Sequence, residues 1–185
     1  MSTQLLKIAA RAKQEPKARL TSLAHVLTPE CLRETWRQLN RKGASGIDGE
    51  TIAECEANLE ERIADLWRRL KAGQYQAPPV RRVEMPKGNG NTRPLGMPTV
   101  EDRLWQRAVA RMLSAIYEQD FLACSFGYRT GRNPHMALKA LRDHIVPGKV
   151  RHVYATDIQG DFTNLHHQWL RKMIALRIAD PVITG

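Results

Sequence analysis

Apolar residues recur at three- and four-residue steps along much of the chain, which is the pattern of amphipathic helices. The longest such stretch predicts a helix over residues 51–72 whose apolar face carries Ile52, Cys55, Leu59, Ile63, Leu66 and Leu70. Similar spacing predicts helices over residues 29–39, 99–118, 134–145 and 165–179. Residues 1–20 are basic. Their pattern leaves two alternatives, a helix within residues 1–19 that Pro16 interrupts and an arm that is disordered until it meets nucleic acid.

Two further regions predict strands. Residues 80–85 and 93–97 flank a glycine-rich turn, which predicts a hairpin with the cations Lys87 and Arg93 at its tip. Residues 150–157 predict a short buried strand that ends on the carboxylate of Asp157. Several helices with few strands indicate an α+β fold.

Basic residues outnumber acidic ones by a wide margin. The sequence has 29 Lys and Arg against 19 Asp and Glu, a net charge of +10 and a pI near 10.0. This excess favours a polyanionic partner, whose binding would weaken steeply with salt. A basic surface that is merely solvated is the alternative.

The cysteines and the hydropathy of the chain indicate in which cellular compartment the protein is expected. The three cysteines, Cys31, Cys55 and Cys124, show neither metal-ligand spacing nor a disulfide framework. We therefore expect reduced thiols in a cytoplasmic protein. No apolar run reaches the length of about 18 residues that a membrane helix needs, and the N-terminus lacks the apolar core of a signal peptide.

The candidate chemistry has competing explanations. Lys87 and Arg93 can close over a triphosphate as two cations on a mobile turn, but a solvated hairpin accounts for them as well. Asp157 can be a ligand of Mg²⁺, which prefers hard oxygen donors, or simply a turn cap. Arginines and aromatics that suit nucleic-acid contact occur at Arg103, Arg107, Tyr128, Arg129 and Arg132.

Four blocks of sequence follow one another in a specific order. They are Gly46-Ile-Asp-Gly49-Glu-Thr51; Met85-Pro86-Lys87-x-x-Gly90-x-x-Arg93-Pro94-Leu95-Gly96-Met97-Pro98-Thr99; Ser125-Phe-Gly-Tyr-Arg-x-Gly-Arg132-x-x-His135-x-Ala137-Leu138; and Thr156-Asp157-Ile158-x-Gly160-x-Phe162-x-Asn164. In this order and spacing, roughly residues 25–180 resemble the N-terminal part of group II intron-encoded reverse transcriptases, also called maturases.

The resemblance implies a right-hand polymerase with a basic arm at residues 1–24, an N-terminal extension and fingers at 25–144, and the start of a palm at 145–185. It implies an RNA-directed DNA polymerase that uses an intron RNA template, a DNA primer, deoxynucleotide triphosphates and Mg²⁺.

Individual roles follow from the same resemblance. Lys87 and Arg93 match the cations that hold the incoming triphosphate. Asp157 matches the first catalytic aspartate, and the carbonyl of Ile158 would complete one metal site. Phe162 matches the aromatic residue that screens the sugar 2′ position.

The sequence also departs from the family pattern. Asp161 stands where the family usually has Phe, and Thr163 where it usually has Asp, which indicates relaxed or altered function. The family's Tyr-x-Asp-Asp block does not occur in the 28 residues after Asp157. We therefore expect this polypeptide not to polymerise alone, a second polypeptide or self-association to complete the palm, and residues 145–185 to fray without that partner.

Two rival functions remain open. A non-catalytic RNA-binding module would keep the basic scaffold and be indifferent to substitution of Asp157. A protein-interaction adaptor with incidental charge would bind RNA without salt dependence or not at all.

Overall fold

The computed structural model describes residues 3–88, 90–148, 150–162 and 164–184 and confirms a mixed α+β architecture. Its elements in chain order are α1 Thr3–Gln14, a 3₁₀ turn Ala24–Val26, α2 Pro29–Trp36, α3 Ile52–Ala57, α4 Leu59–Lys71, β1 Arg81–Pro86, β2 Thr92–Met97, α5 Val100–Tyr117, α6 Pro134–Ile145, α7 His167–Ala175 and α8 Pro181–Thr184. The chain divides into two compact units, one mainly of residues 24–113 and one of residues 6–23 with 114–184. None of the described helices is long and apolar enough to cross a membrane.

The predicted helix over residues 51–72 is in fact two helices, α3 and α4. Thr51 and Glu54 form a capping box that begins α3. Asn58 then takes a non-helical conformation (φ −124°, ψ 33°), and α4 begins after it. The apolar stripe continues across the break, with Ile52 and Ile63 both buried. The apolar spacing therefore predicted burial correctly but could not show the break, which a short polar side chain such as Asn favours.

The first unit builds its core from α2 to α5. Buried apolar side chains come from all four helices and include Leu32, Trp36, Ile52, Ile63, Leu66, Val100, Leu104, Ala108 and Met112. Arg111 joins α5 to α2, because its guanidinium donates to Thr35 Oγ1 at 2.6 Å and to Glu34 at 3.0 Å. The Arg111 side chain is only 9% exposed, so this arginine is part of the packing.

The hairpin forms as predicted. Strands β1 and β2 pair antiparallel, with Arg81 opposite Met97 and Pro86 opposite Thr92. The turn closes where the backbone N–H of Lys87 donates to the carbonyl of Asn91 at 2.6 Å. Asn89, inside this turn, lies outside the described residues.

In the second unit, the chain after α1 pairs with the chain after α7. Leu20 and Ile178 form a parallel bridge through two 2.8 Å backbone hydrogen bonds. Of the two alternatives for the basic arm, the helix is confirmed and the disordered form is wrong for residues 3–14, which form α1 with Leu5 and Ala12 buried. The helix ends before Pro16, as proline requires, and α7 ends at Ala175, earlier than predicted, because the chain turns toward the bridge.

The buried strand predicted for residues 150–157 is not present. These residues have no regular structure and are exposed; Tyr154 is 91% exposed and Val153 is 61% exposed. A strand needs a neighbour to pair its backbone groups. Among the described residues the sole sheet is the β1–β2 hairpin, so this segment has no strand to pair with.

Candidate nucleotide and nucleic-acid interface

The first block serves the fold. A Cβ built on Gly46 would lie 2.6 Å from Thr99 Cα and 2.8 Å from Thr99 N, so only glycine lets the two backbones approach this closely. Thr51 caps α3, and Glu50 forms an ion pair with Arg62 of α4. Because the side chains of Thr51 and Glu50 already have partners within the unit, we assign them a structural role.

The second block presents two cations to solvent. Lys87 and Arg93 are both exposed, and neither forms an ion pair with any residue that the structure describes. The hairpin register places Arg93 opposite Met85, two residues before Lys87. Gly90 supports the turn with a φ of 80°, a conformation that other residues rarely adopt. Two unpaired cations on one short hairpin can bind an anion.

The third block is organised around Arg129. Its guanidinium donates to Glu118 at 2.7 and 3.0 Å and to the carbonyls of Leu122 and Ser125 at 2.9 Å. The ring of Phe121 lies 5.0 Å away, and the Arg129 side chain is only 7% exposed. In this conformation Arg129 is engaged with the loop itself, so its predicted contact with nucleic acid stays a prediction.

Tyr128 is the exposed residue of that loop. Its φ of 56° is left-handed, which is unusual for a bulky side chain, and it is fully exposed. Strain of this kind is retained where the surroundings hold the backbone in place, and it concentrates at functional sites. Nearby, the Arg132 guanidinium lies 5.3 Å from the ring of Phe126, so Arg132 is partly engaged.

Arg103 and Arg107 are the two predicted contacts that the structure brings into one cavity. The cavity has a volume of about 470 Å³ and is lined by Gln38, Leu39, Asn40, Ile52, Arg103, Gln106, Arg107 and Ala110. Gln38 and Asn40, from the turn after α2, also line the cavity and were not predicted as site residues. No local pattern marks them, because their place beside residues of α5 depends on packing.

The fourth block lies in exposed chain. Asp157 accepts a hydrogen bond from the backbone N–H of its neighbour Ile158 at 3.0 Å, and Phe162 is 87% exposed. Asp161 is exposed as well, and Thr163 lies outside the described residues. Carboxylate and carbonyl oxygens suit Mg²⁺. The described part of the chain holds no group of three or more His, Cys, Asp or Glu that could bind a metal.

The groups with shifted pKa values lie away from these candidate residues. Hydrogen bonds lower the pKa of exposed carboxyls such as Glu54 and Asp65. Burial raises the pKa of the Cys55 thiol to about 12, and burial also raises the pKa of Cys31. Burial and a hydrogen bond to Asp102 raise the pKa of Tyr75. Cys31 and Cys55 are buried, whereas Cys124 is exposed. None of these groups has the setting of a nucleophile or a general base.

Comparison with known proteins finds relatives over most of the chain. The sequence is 36% identical over 181 residues to protein YkfC of Escherichia coli K12, covering 94% of this chain and 48% of that protein. It is 38% identical over 160 residues to group II intron-encoded protein LtrA of Lactococcus lactis subsp. cremoris, covering 84% of this chain and 26% of LtrA. It is 32% identical over 135 residues to an uncharacterized 91 kDa protein in the cob intron of Schizosaccharomyces pombe.

No family model matches the sequence. The chain spans about half the length of YkfC and about a quarter of that of LtrA.

Proposed function

Because the chain belongs to the group II intron-encoded reverse transcriptase and maturase family, we propose that it forms the fingers and the start of the palm of a right-hand polymerase that copies RNA into DNA. In this proposal residues 1–24 are a basic arm, 25–144 the N-terminal extension and fingers, and 145–185 the start of the palm. The partners are an RNA template, a DNA primer and deoxynucleotide triphosphates.

The observation that supports the proposal is that the four blocks contain both residues that stabilise the fold and residues that are exposed. Some block residues cap helices, close turns or pack within their own unit, and many others are exposed. The exposed ones include five charged or aromatic residues that form no ion pair with any residue the structure describes: Lys87, Arg93, Tyr128, Asp157 and Phe162. An exposed position that recurs in a family pattern without serving the fold is explained best by a ligand.

Each of the five has a proposed role. Lys87 and Arg93 bind the triphosphate of the incoming nucleotide through charge-assisted hydrogen bonds. Asp157 supplies a catalytic carboxylate, with the Ile158 carbonyl beside it, and Phe162 contacts the sugar. Mg²⁺, when bound, would neutralise charge on the phosphate oxygens. Asp157 provides one part of such a site, and further carboxylates are needed to hold the ion.

Tyr128 is proposed to stack on an RNA base, with Arg132, Arg103 and Arg107 contacting the backbone. Stacking on an aromatic ring contributes about 1–3 kcal/mol per base. Arg129 positions Tyr128, because its hydrogen bonds to Glu118, Leu122 and Ser125 define the loop.

RNA binding by the purified 185-residue chain tests this function. We expect fluorescence anisotropy to show binding whose affinity falls steeply across a NaCl series, because Lys and Arg contacts release counterions from phosphates. Tyr128→Gly should weaken binding about tenfold while leaving the fold at least as stable, since glycine accepts the left-handed backbone. Lys139→Met, which removes a cation from the exposed pair with Asp143, is the control and should change affinity less than twofold. Absent or salt-independent binding would favour an adaptor role.

A non-catalytic RNA-binding module is the second candidate, and one observation favours it. Among the described residues Asp157 lies in exposed, irregular chain with no metal-binding cluster around it. We expect the chain alone to give no magnesium-dependent primer extension and Asp157→Asn to bind RNA unchanged. Robust extension that Asp157→Asn abolishes would show instead that these residues suffice for catalysis.

A further inference from the structure

Arg103 has an unused hydrogen-bonding edge inside the first unit. Its Nε and Nη2 atoms are buried and have no hydrogen-bond partner among the residues described. In a guanidinium these two nitrogens lie on the same edge and present two nearly parallel N–H donors, the arrangement that matches two oxygens of a phosphate. Donors of a buried cation are costly to leave unpaired, so an anionic acceptor is expected there.

The opposite side of the Arg103 guanidinium lies against the turn that follows α2. A Cβ built on Gly43 would lie 2.5 Å from Arg103 Nη1 and 3.7 Å from Cζ, so the absent side chain makes room for the guanidinium. The turn is held by Asn40, whose carbonyl accepts from Gly43 N at 3.0 Å and whose Oδ1 accepts from Lys42 N at 3.1 Å. That second bond leaves the amide NH₂ of Asn40 as a donor.

The cavity that Arg103 lines has the charge and size of an anion site. None of the described residues that line it is a carboxylate, while Arg107 adds a second, exposed cation and Gln38 and Asn40 add amides. Its volume of about 470 Å³ falls within the range of about 300–1,000 Å³ typical of ligand sites. There is room for a phosphate group together with part of the molecule that carries it.

Three other arginines of the same unit have a carboxylate partner, which Arg103 lacks among the described residues. Arg62 pairs with Glu50, Arg69 pairs with Glu101 at 2.6 Å, and Arg111 pairs with Glu34 at 3.0 Å. The fold thus supplies carboxylates to these three half-buried or buried arginines, whereas Arg103 meets none among the described residues.

We propose that this cavity, between the turn after α2 and the middle of α5, binds one phosphate group between Arg103 and Arg107. On binding, the Arg103 side chain turns so that its Nε–Nη2 edge, which is closed to solvent in this structure, meets the phosphate. The site rests on Arg103 and its cavity. That the phosphate belongs to an RNA backbone, rather than to a free phosphate compound, rests on the proposed function.

The side-chain Nε–H signal of Arg103 in ¹⁵N-labelled protein tests the site directly. Arg103→Lys identifies the signal by its loss. We expect the signal to shift saturably with sodium phosphate and with a short RNA oligonucleotide, at an ionic strength matched with NaCl. A shift with RNA alone restricts the site to polymer-borne phosphate, and a shift with phosphate alone assigns it to free phosphate. A signal that neither probe moves overturns the proposal.

Variants give an independent measure through RNA affinity. Arg103→Lys keeps the charge but loses the two-donor edge, so the Kd should rise about tenfold while the salt slope is unchanged. Gly43→Ala should weaken binding in the same direction by displacing the guanidinium, although it alters no charge. Arg68→Lys is the control, because Arg68 is exposed on α4, pairs with Asp65 and lies outside the cavity. Its Kd should change less than twofold.

Failure of the site and failure of the RNA-binding function give different results. If the chain binds RNA with salt dependence but Arg103→Lys matches the Arg68→Lys control and the Arg103 signal stays still, the cavity proposal is wrong and the function stands. If phosphate moves the Arg103 signal while no RNA binds, the anion site stands and RNA binding is wrong.

Discussion

At the scale of single residues, the block positions separate into those that build the fold and those that it leaves exposed. Gly46 permits a close backbone approach and Thr51 caps a helix, whereas Lys87 and Tyr128 point to solvent without a side-chain partner among the described residues. A shared motif therefore mixes structural and functional residues, and substitution of the two kinds should have different consequences.

Gly46→Ala should destabilise the first unit. Its new methyl group would meet Thr99 backbone atoms at 2.6 and 2.8 Å, and backbone cannot rotate away as a side-chain tip can. We expect urea denaturation to show a loss of about 1–3 kcal/mol in the free energy of unfolding. Gly88→Ala is the matched control, since a Cβ there meets nothing within 4 Å; it should cost less than about 0.5 kcal/mol. Equal losses would contradict the close-packing explanation.

At the scale of elements, Arg177 holds together segments of the second unit that are far apart in sequence. Its guanidinium donates to both oxygens of Asp120, at 2.7 and 3.1 Å, and to the carbonyls of Ala12, Glu15 and Ala18 at 2.6 to 3.1 Å. One buried side chain thereby satisfies the carbonyls at the end of α1 and the carboxylate after α5. The last carbonyls of a helix have no partner within the helix, so leaving them unpaired in a buried place would lower the stability of the fold.

Asp120→Asn should be strongly destabilising. It would leave the guanidinium of Arg177 buried without its counter-charge, and breaking a buried pair typically costs about 3–5 kcal/mol. Since Asp120 is one-quarter exposed, we expect about 3 kcal/mol in urea denaturation. Asp143→Asn, which breaks the exposed Lys139–Asp143 pair, should cost less than about 0.5 kcal/mol. A small effect of Asp120→Asn would show that Arg177 needs only the carbonyls.

At the scale of the whole molecule, burial is uneven. The helices of the first unit enclose a core, whereas the segment from 150 to 162 and helix α7 expose large apolar side chains, among them Tyr154, Phe162, Trp169 and Leu170. Regions with few buried contacts open at low free-energy cost. The catalytic candidate Asp157 therefore lies in the part of the described chain that the fold supports least.

Limited proteolysis should reveal this difference. Trypsin should cut first at Arg151, which lies in exposed chain without regular structure, well before it cuts at Arg107 within α5. Chymotrypsin should likewise cut at Tyr154 or Phe162 before Trp105, which lies in the same helix as Arg107. Mass spectrometry of the early fragments checks the order. Full protection of residues 150–162 in a monomer would mean that this segment is ordered in solution.

The amino-acid sequence by itself determined the elements whose signals are local. Thr28, Thr51 and Asn133 cap α2, α3 and α6 close to where helices were predicted to begin, and the turn around Gly90 joins the two predicted strands. The four blocks identified the family because their order and spacing lie in the chain itself. Such features depend on neighbours a few residues away, so no knowledge of distant contacts is needed.

Only the tertiary structure decided the features that depend on distant partners. Residues 150–157 have a strand-like pattern but no strand to pair with among the described residues. The basic arm, for which the sequence left a helix and a disordered form open, forms α1 with buried positions. The partners of the arginines also depend on the tertiary structure. Arg111, Arg129 and Arg177 are engaged by groups that folding brings to them, while the Nε–Nη2 edge of Arg103 has no partner in the part of the chain that the structure describes. Identical side chains differ in role because burial and partners, which set the cost of an unpaired charge, are properties of the folded chain.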